Sequence, residues 1–270
     1  MNRTAGRRHA SAPAYPWYWH SLLILLLVSA PIGCVKSPPA SQSKGQVVLL
    51  HGLGRSDLSM VRIKAALADS GYNVIAVSYP STQHSIEYLA DRELGPALKR
   101  CCSDPDVPLH FVTHSMGGII LRFYLENHEL DNLGRVVMLS PPNQGSELAD
   151  WMSESPVLER LLGPWAEQLG TSPQSVPQRL GPVDFEVGII AGDRTLNPLF
   201  SRVIPGVDDG KVAVERTKVE GMADFLVVPH THTYIMMKDD VIAQVIHFIE
   251  HGDFYRDSTH VTVGGEAVDE

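Results

Sequence analysis

The chain has 270 residues, 44% of them hydrophobic, which is enough for one large domain with a two-sided core. Its formal net charge is −9, and the first 34 residues hold Arg3, Arg7 and Arg8 but no acid, so the remainder is more acidic still. That balance argues against nucleic acid as a partner.

The N-terminal stretch, residues 1–34, reads as a targeting segment outside the fold. Arg3, Arg7 and Arg8 make a basic start, Leu22 to Ala30 an apolar core, and Pro31-Ile32-Gly33-Cys34 a small-residue exit. The apolar core is too short for a bilayer, which takes about 20 residues. Ending in Gly-Cys, the segment resembles a bacterial lipoprotein signal, with Cys34 as the lipidated residue. Alternatively, Tyr15, Trp17, Tyr18 and Trp19 join the apolar run as an interfacial belt and give an uncleaved N-terminal membrane anchor. Both readings predict export and a tether to the membrane of the cell envelope. Residues 35–45, rich in Ser, Pro, Gln and Lys, read as a linker.

From Gln46 onward, short apolar runs alternate with helix-like patterns. Gln46 to Leu50 is a strand buried on both faces, followed by a helix through Met60, Ile63, Ala66 and Leu67. A strand from Tyr72 to Tyr79 leads to a helix from Ser85 to Lys99. A third strand precedes Ser115, and Arg135–Ser140, Phe185–Ala191 and Phe225–Pro229 supply three more. A helix over Asp239–His251 closes the domain, and the polar tail 257–270 is expected to be flexible. Strands alternating with helices predict an α/β fold: a mostly parallel sheet of about six strands, helices on both faces, spanning residues 46–256. Between 141 and 184 the pattern loosens. Trp151, Met152, Leu158, Leu161, Leu162, Trp165 and Leu169 keep helical spacing between prolines, as in a short cap over the strand ends, where some would wall an apolar groove.

One stretch carries the chemistry. Leu109-His110-Phe111-Val112-Thr113-His114-Ser115-Met116-Gly117-Gly118-Ile119-Ile120 reads as strand, tight turn and helix, with a serine at the apex. Gly117 lets the helix pass close to the strand, and Gly118 keeps the first turn uncluttered. The small residue expected two before the serine is Thr113 instead, whose branched side chain predicts a crowded turn. An activated serine needs a base, an acid that orients the base, and oxyanion donors. For this strand–turn–helix arrangement the chain order is Ser, then Asp or Glu, then His. Downstream stand Asp193, Asp208 and Asp209 as acids, and His230 and His232 as bases. His51 and His114 read as hydrogen-bonded structural imidazoles.

Together, Val47-Val48-Leu49-Leu50-His51-Gly52-Leu53-Gly54, Thr113-His114-Ser115-Met116-Gly117-Gly118, Pro141-Pro142-Asn143-Gln144-Gly145-Ser146, Asp209-Gly210-Lys211-Val212 and His232-Thr233 resemble the α/β-hydrolase superfamily, in its lipase and esterase-like branch. The resemblance covers most of Gln46 to Phe254. It implies a serine hydrolase that cleaves carboxylic esters, lipid-like ones among them, through an acyl-enzyme and needs no cofactor. Carried over, Ser115 is the nucleophile, His232 the base and Asp209 the acid, with Asp193 and Asp208 as alternative acids. The backbone N–H groups of Leu53 and Met116 are the implied oxyanion donors. An acyltransferase or thioesterase with the same residues, or a non-catalytic envelope protein of this fold, are the alternatives.

Two features read as decoys. His247-Phe248-Ile249-Glu250-His251 matches a helical zinc pattern, but no third ligand follows at sensible spacing, so no metal is expected. Cys101 and Cys102 are adjacent, which gives part-buried thiols or a minor vicinal disulfide and no framework.

Overall fold

The computed structural model describes residues 43–154 and 165–256. The signal or anchor of 1–34, Cys34, most of the linker, Leu158, Leu161, Leu162 and the tail 257–270 lie outside the described residues. Among the described residues no helix is long and apolar enough to cross a membrane.

The apolar runs pair as one six-stranded sheet in the order β2-β1-β3-β4-β5-β6. Its strands are β1 (Gln46–Leu50), β2 (Asn73–Val77), β3 (Leu109–His114), β4 (Leu133–Leu139), β5 (Val187–Arg194) and β6 (Asp224–Thr231). Every pairing is parallel. Alternate side chains on β1 face opposite layers. Val48 and Leu50 pack with Phe111 and Met138 against Leu89, Leu94, Ile119 and Ile120. Val47 and Leu49 pack with Val112 and Leu139 against Ile63, Leu67, Val245 and Phe248. Helices Val61–Asp69 and Asp239–His251 therefore cover one face, while Met116–Asn127 and the helical stretch beginning at Ile86 cover the other. Both faces are buried, which is why the strands are continuously apolar.

Where boundaries differ from the sequence reading, the reason is local. β2 is shorter than Tyr72–Tyr79: the N–H of Tyr72 bonds the Leu67 carbonyl of the preceding helix rather than a strand, at 3.1 Å. β6 runs two residues past Pro229, a residue a central strand would exclude; β6 is the edge, where a missing N–H costs no ladder bond. The helix expected over Ser85–Lys99 begins with the Ser85 hydroxyl accepting from the Tyr88 N–H and ends at Cys101. Its middle, Leu89–Leu94, widens to a π-helix just before Pro96. Proline cannot donate to the carbonyl four residues back and its ring crowds it, which favours the wider turn. At the end of that helix Cys101 and Cys102 are joined as a vicinal disulfide. In the region read as a cap, helices Glu147–Ser153, Trp165–Gln168 and Val176–Arg179 lie on either side of the undescribed residues 155–164.

The sheet places β1, β3, β4, β5 and β6 so that their carboxyl ends open together, where ligands of such sheets bind. The last residues of these strands and the segments that follow them hold every residue named as a site candidate.

Candidate active site

Ser115 caps helix Met116–Asn127 with φ 53° and ψ −125°, a conformation uncommon for a residue with a side chain. The strain is held from both sides. The Ser115 N–H bonds the Leu139 carbonyl at 2.9 Å, extending the β3–β4 ladder, and its own carbonyl accepts from Gly118 at 2.9 Å. Close packing then demands glycine at two neighbours. A Cβ on Gly117 would lie 2.8 Å from the carbonyl oxygens of Leu50 and His51; one on Gly52 would lie 2.7 Å from His114 Nδ1. Thr113 fits without the expected crowding at the serine. Its hydroxyl lies on the side of Gly118, where a Cβ would come within 3.2 Å of Oγ1, so the missing side chain of Gly118 makes the room. The same hydroxyl is buried and has no hydrogen-bond partner among the described residues.

Three candidates, separated by up to 117 positions, meet here. His232 Nε2 lies 3.0 Å from Ser115 Oγ, and His232 Nδ1 lies 2.7 Å from Asp209 Oδ2. All three are nearly sealed from solvent: Ser115 is 9% exposed, Asp209 2% and His232 3%. The local sequence builds this alignment. Gly210 adopts φ +94°, and the turn it allows aims the backbone N–H groups of Lys211 and Val212 at Asp209 Oδ1, at 3.0 and 2.9 Å. With Oδ1 so engaged, Oδ2 accepts from the imidazole. The His232 backbone N–H also bonds the Asp209 carbonyl at 2.9 Å, tying the two loops together. A proton on Nδ1 shared with Asp209 leaves Nε2 as an acceptor toward the serine hydroxyl.

The other candidates are occupied elsewhere. Asp208 Oδ1 accepts from Ser201 Oγ and the Gly210 N–H at 2.9 and 2.7 Å, ordering the loop. Asp193 lies beside Arg194, 3.4 Å from its guanidinium, and does not reach His232. His230 turns to the last helix, with Nε2 2.7 Å from Asp240 Oδ2. His51 stacks on Tyr79 at 4.0 Å, its Nδ1 donating to the Gly52 carbonyl and its Nε2 accepting from the Tyr79 N–H. His114 donates from Nε2 to the carbonyl of His232 at 3.0 Å, so it touches the histidine loop through the main chain. Burial first, and then the nearby His232, hold the His114 pKa well below its ordinary 6.5, which keeps the ring neutral. On the last helix His247 pairs with Asp253 and packs on His251, and among the described residues no group of three or more potential ligands gathers around a metal position.

Leu53 follows β1 and Met116 follows Ser115. Neither backbone N–H donates to another protein group among the described residues. The Leu53 loop is anchored by the Gly54 N–H, which bonds Ser81 Oγ at 3.0 Å.

A cavity of about 170 Å³ opens beside Ser115 and His232. Its apolar wall includes Leu148, Met152, Leu169 and Phe200. Of the residues singled out in the loosened region, Met152 and Leu169 line it, whereas Trp151 is exposed and does not. Leu148, Phe200 and two cations, Arg55 and Lys211, were not marked by the sequence pattern. Phe200 belongs to a one-turn helix, Phe200–Arg202, too short to show periodicity.

A family model described as the alpha/beta hydrolase family matches residues 47–258. No curated protein matches the chain. Among solved structures, the mature lipase BlEst2 of Bacillus licheniformis aligns over 81% of this chain and 95% of its own, at 17% identity and a TM-score of 0.57. Phospholipase PlaB of Legionella pneumophila aligns over 70% and 53%, at 16% identity and a TM-score of 0.60. The metagenomic carboxyl esterase MGS0156 aligns over 77% and 71%, at 16% identity and a TM-score of 0.58. At such identities the likeness is one of fold, and it agrees with the six-stranded parallel sheet. On the family match over most of its length, this chain belongs to the alpha/beta hydrolase family.

Proposed function

We propose that this protein is a serine hydrolase that cleaves carboxylic esters through an acyl-enzyme. The observation that carries the reading is the unbroken line from Asp209 Oδ2 through His232 to Ser115 Oγ, at 2.7 and 3.0 Å, on the floor of an apolar cavity. In this reading His232 Nε2 takes the proton of Ser115 as Oγ attacks the ester carbonyl. Negative charge gathers on the carbonyl oxygen, where the N–H groups of Leu53 and Met116 are the assigned donors. The tetrahedral adduct collapses, His232 protonates the departing alcohol, and the acyl group stays on Ser115. Water then loses a proton to His232 as it attacks the acyl carbonyl, and the second adduct collapses to release the acid while His232 returns that proton to Ser115 Oγ. Asp209 holds the imidazole with Nδ1 protonated and compensates the positive charge that His232 gains in each half-reaction. The chain needs no cofactor for these steps. The apolar wall of Met152, Leu169 and Phe200 supports an acyl chain as the group bound beside the serine.

The body of the protein is exported and tethered in this proposal, through a lipidated Cys34 or through the apolar segment from Leu22 to Ala30 left uncleaved. Cys34→Ser separates these routes: it releases the protein from membranes in the first and leaves it membrane-bound in the second. For the chemistry, a series of p-nitrophenyl esters of rising chain length tests the reading. Wild type should turn them over, and Ser115→Ala should fall by at least about 10⁴-fold in kcat. Equal rates in the two proteins would refute it.

A further inference from the structure

Arg55 and Lys211 border the same cavity as Ser115 and His232, and among the described residues no aspartate or glutamate lines it. Several arginines elsewhere meet carboxylates, as Arg135 does Glu186, Arg216 Glu147 and Arg256 Asp224, whereas the buried Arg122 bonds carbonyl and amide oxygens instead. Among the described residues neither Arg55 nor Lys211 forms an ion pair. The sequence holds 31 acidic residues against 22 lysines and arginines, so two unpaired cations at one cavity run against its own balance.

Both residues are also held in place. Arg55 Nη2 donates to the Thr233 carbonyl at 3.0 Å, one residue beyond His232. That bond uses one of five guanidinium N–H donors. Lys211 is fixed at its backbone, where its N–H bonds Asp209 Oδ1 at 3.0 Å and its carbonyl accepts from Ser146 Oγ at 2.7 Å. Its ammonium has no hydrogen-bond partner among the described residues. Much of the Lys211 side chain is exposed by area. Even so, lost hydration first, and then the Arg55 guanidinium, pull its pKa below the ordinary lysine value. Two cations that repel each other across a cavity are stabilised by an anion between them.

We propose that the substrate carries an anionic group, carboxylate or phosphate, close to its scissile ester, and that Arg55 and Lys211 bind that group while the apolar wall takes the hydrocarbon. This assignment rests on the ester-hydrolase reading of Ser115. Arginine supplies a planar fork that fits either anion, and lysine adds a point charge.

The test is calorimetric titration of the full chain carrying Ser115→Ala with octyl phosphate, octanoate and neutral octanol. At least one anion should bind about tenfold or more tighter than octanol, the gain expected from a charge-assisted contact. The better of the two names the source, phosphate or carboxylate. Adding Lys211→Gln or Arg55→Gln should remove most of that preference, and Lys211→Arg should keep it. Equal binding of all three ligands, or a preference that survives both glutamine variants, overturns the proposal. Kinetics keep the two readings apart. Turnover of neutral p-nitrophenyl esters with no preference for anionic ones overturns the anion site alone. Failure to cleave either class overturns the ester reading, and the titration still decides the anion site.

Discussion

Asp209 and Asp208 are adjacent, yet only Asp209 faces His232, because the turn at Gly210 gives each carboxylate a different set of backbone donors. Asp209→Asn should therefore lower kcat by about 10³ to 10⁴-fold, the cost of losing the partner that fixes the imidazole tautomer. Asp193→Asn should stay within a few fold; the reverse ranking in steady-state kinetics would move the acid to Asp193. Thr113 allows a sharper experiment. Its hydroxyl is buried without a partner, so Thr113→Val swaps an unsatisfied polar group for a methyl of the same shape. A stabilisation of about 1 kcal/mol is expected from urea unfolding; a loss of that size would mean the hydroxyl has a partner in solution. At this scale the sequence was readable where a residue follows directly on a strand, as Ser115 follows β3 and His232 follows β6. Arg55, Lys211 and Phe200 were not readable. They meet only in three dimensions, and no local spacing marks a charge that faces a cavity rather than water.

The turn between β3 and helix Met116–Asn127 is the element on which the site depends. Backbone oxygens of β1 stand 2.8 Å from the place a Gly117 Cβ would occupy, and backbone cannot swing aside. Gly117→Ala should cost about 3 kcal/mol, or roughly 6–12 °C in melting temperature for a domain of this size. Gly54→Ala is the control. Nothing lies within 4 Å of its Cβ position and φ is +64°, so only the backbone penalty of about 1 kcal/mol applies. Similar melting temperatures for the two variants would show that the close approach is relieved in solution. The strands were legible because burial on both faces makes them runs of Val, Ile and Leu. Their ends were less so: β5 extends through Gly192 and Asp193 to Arg194, where pairing with β6, not hydrophobicity, sets the limit. The π-helical widening at Leu89–Leu94 also escapes a periodicity reading, which assumes one turn geometry throughout.

Over the whole molecule, three buried histidines set the response to acid. His51, His110 and His114 all have pKa values pushed below 6.5, with burial the largest cause in each. The folded chain keeps them neutral while the unfolded chain protonates them near pH 6.5, so the unfolded state binds more protons and stability falls as pH drops through that value. Each contributes up to about 1.4 kcal/mol per pH unit until its own folded pKa is reached. Urea midpoints should decline steadily from pH 7.5 to pH 5.5, and His110→Asn should flatten the slope; a midpoint that rises toward pH 5.5 would contradict the sign. The fold class follows from strand and helix alternation along the entire domain, a signal that survives errors at any single boundary. The reactivity of Ser115 is the most direct test of the whole. Intact-protein mass spectrometry after treatment with a fluorophosphonate should show a single adduct on the wild-type chain, mapped to Ser115 and missing from Ser115→Ala. A wild-type chain that stays unmodified, or a Ser115→Ala chain modified to the same extent, would contradict it.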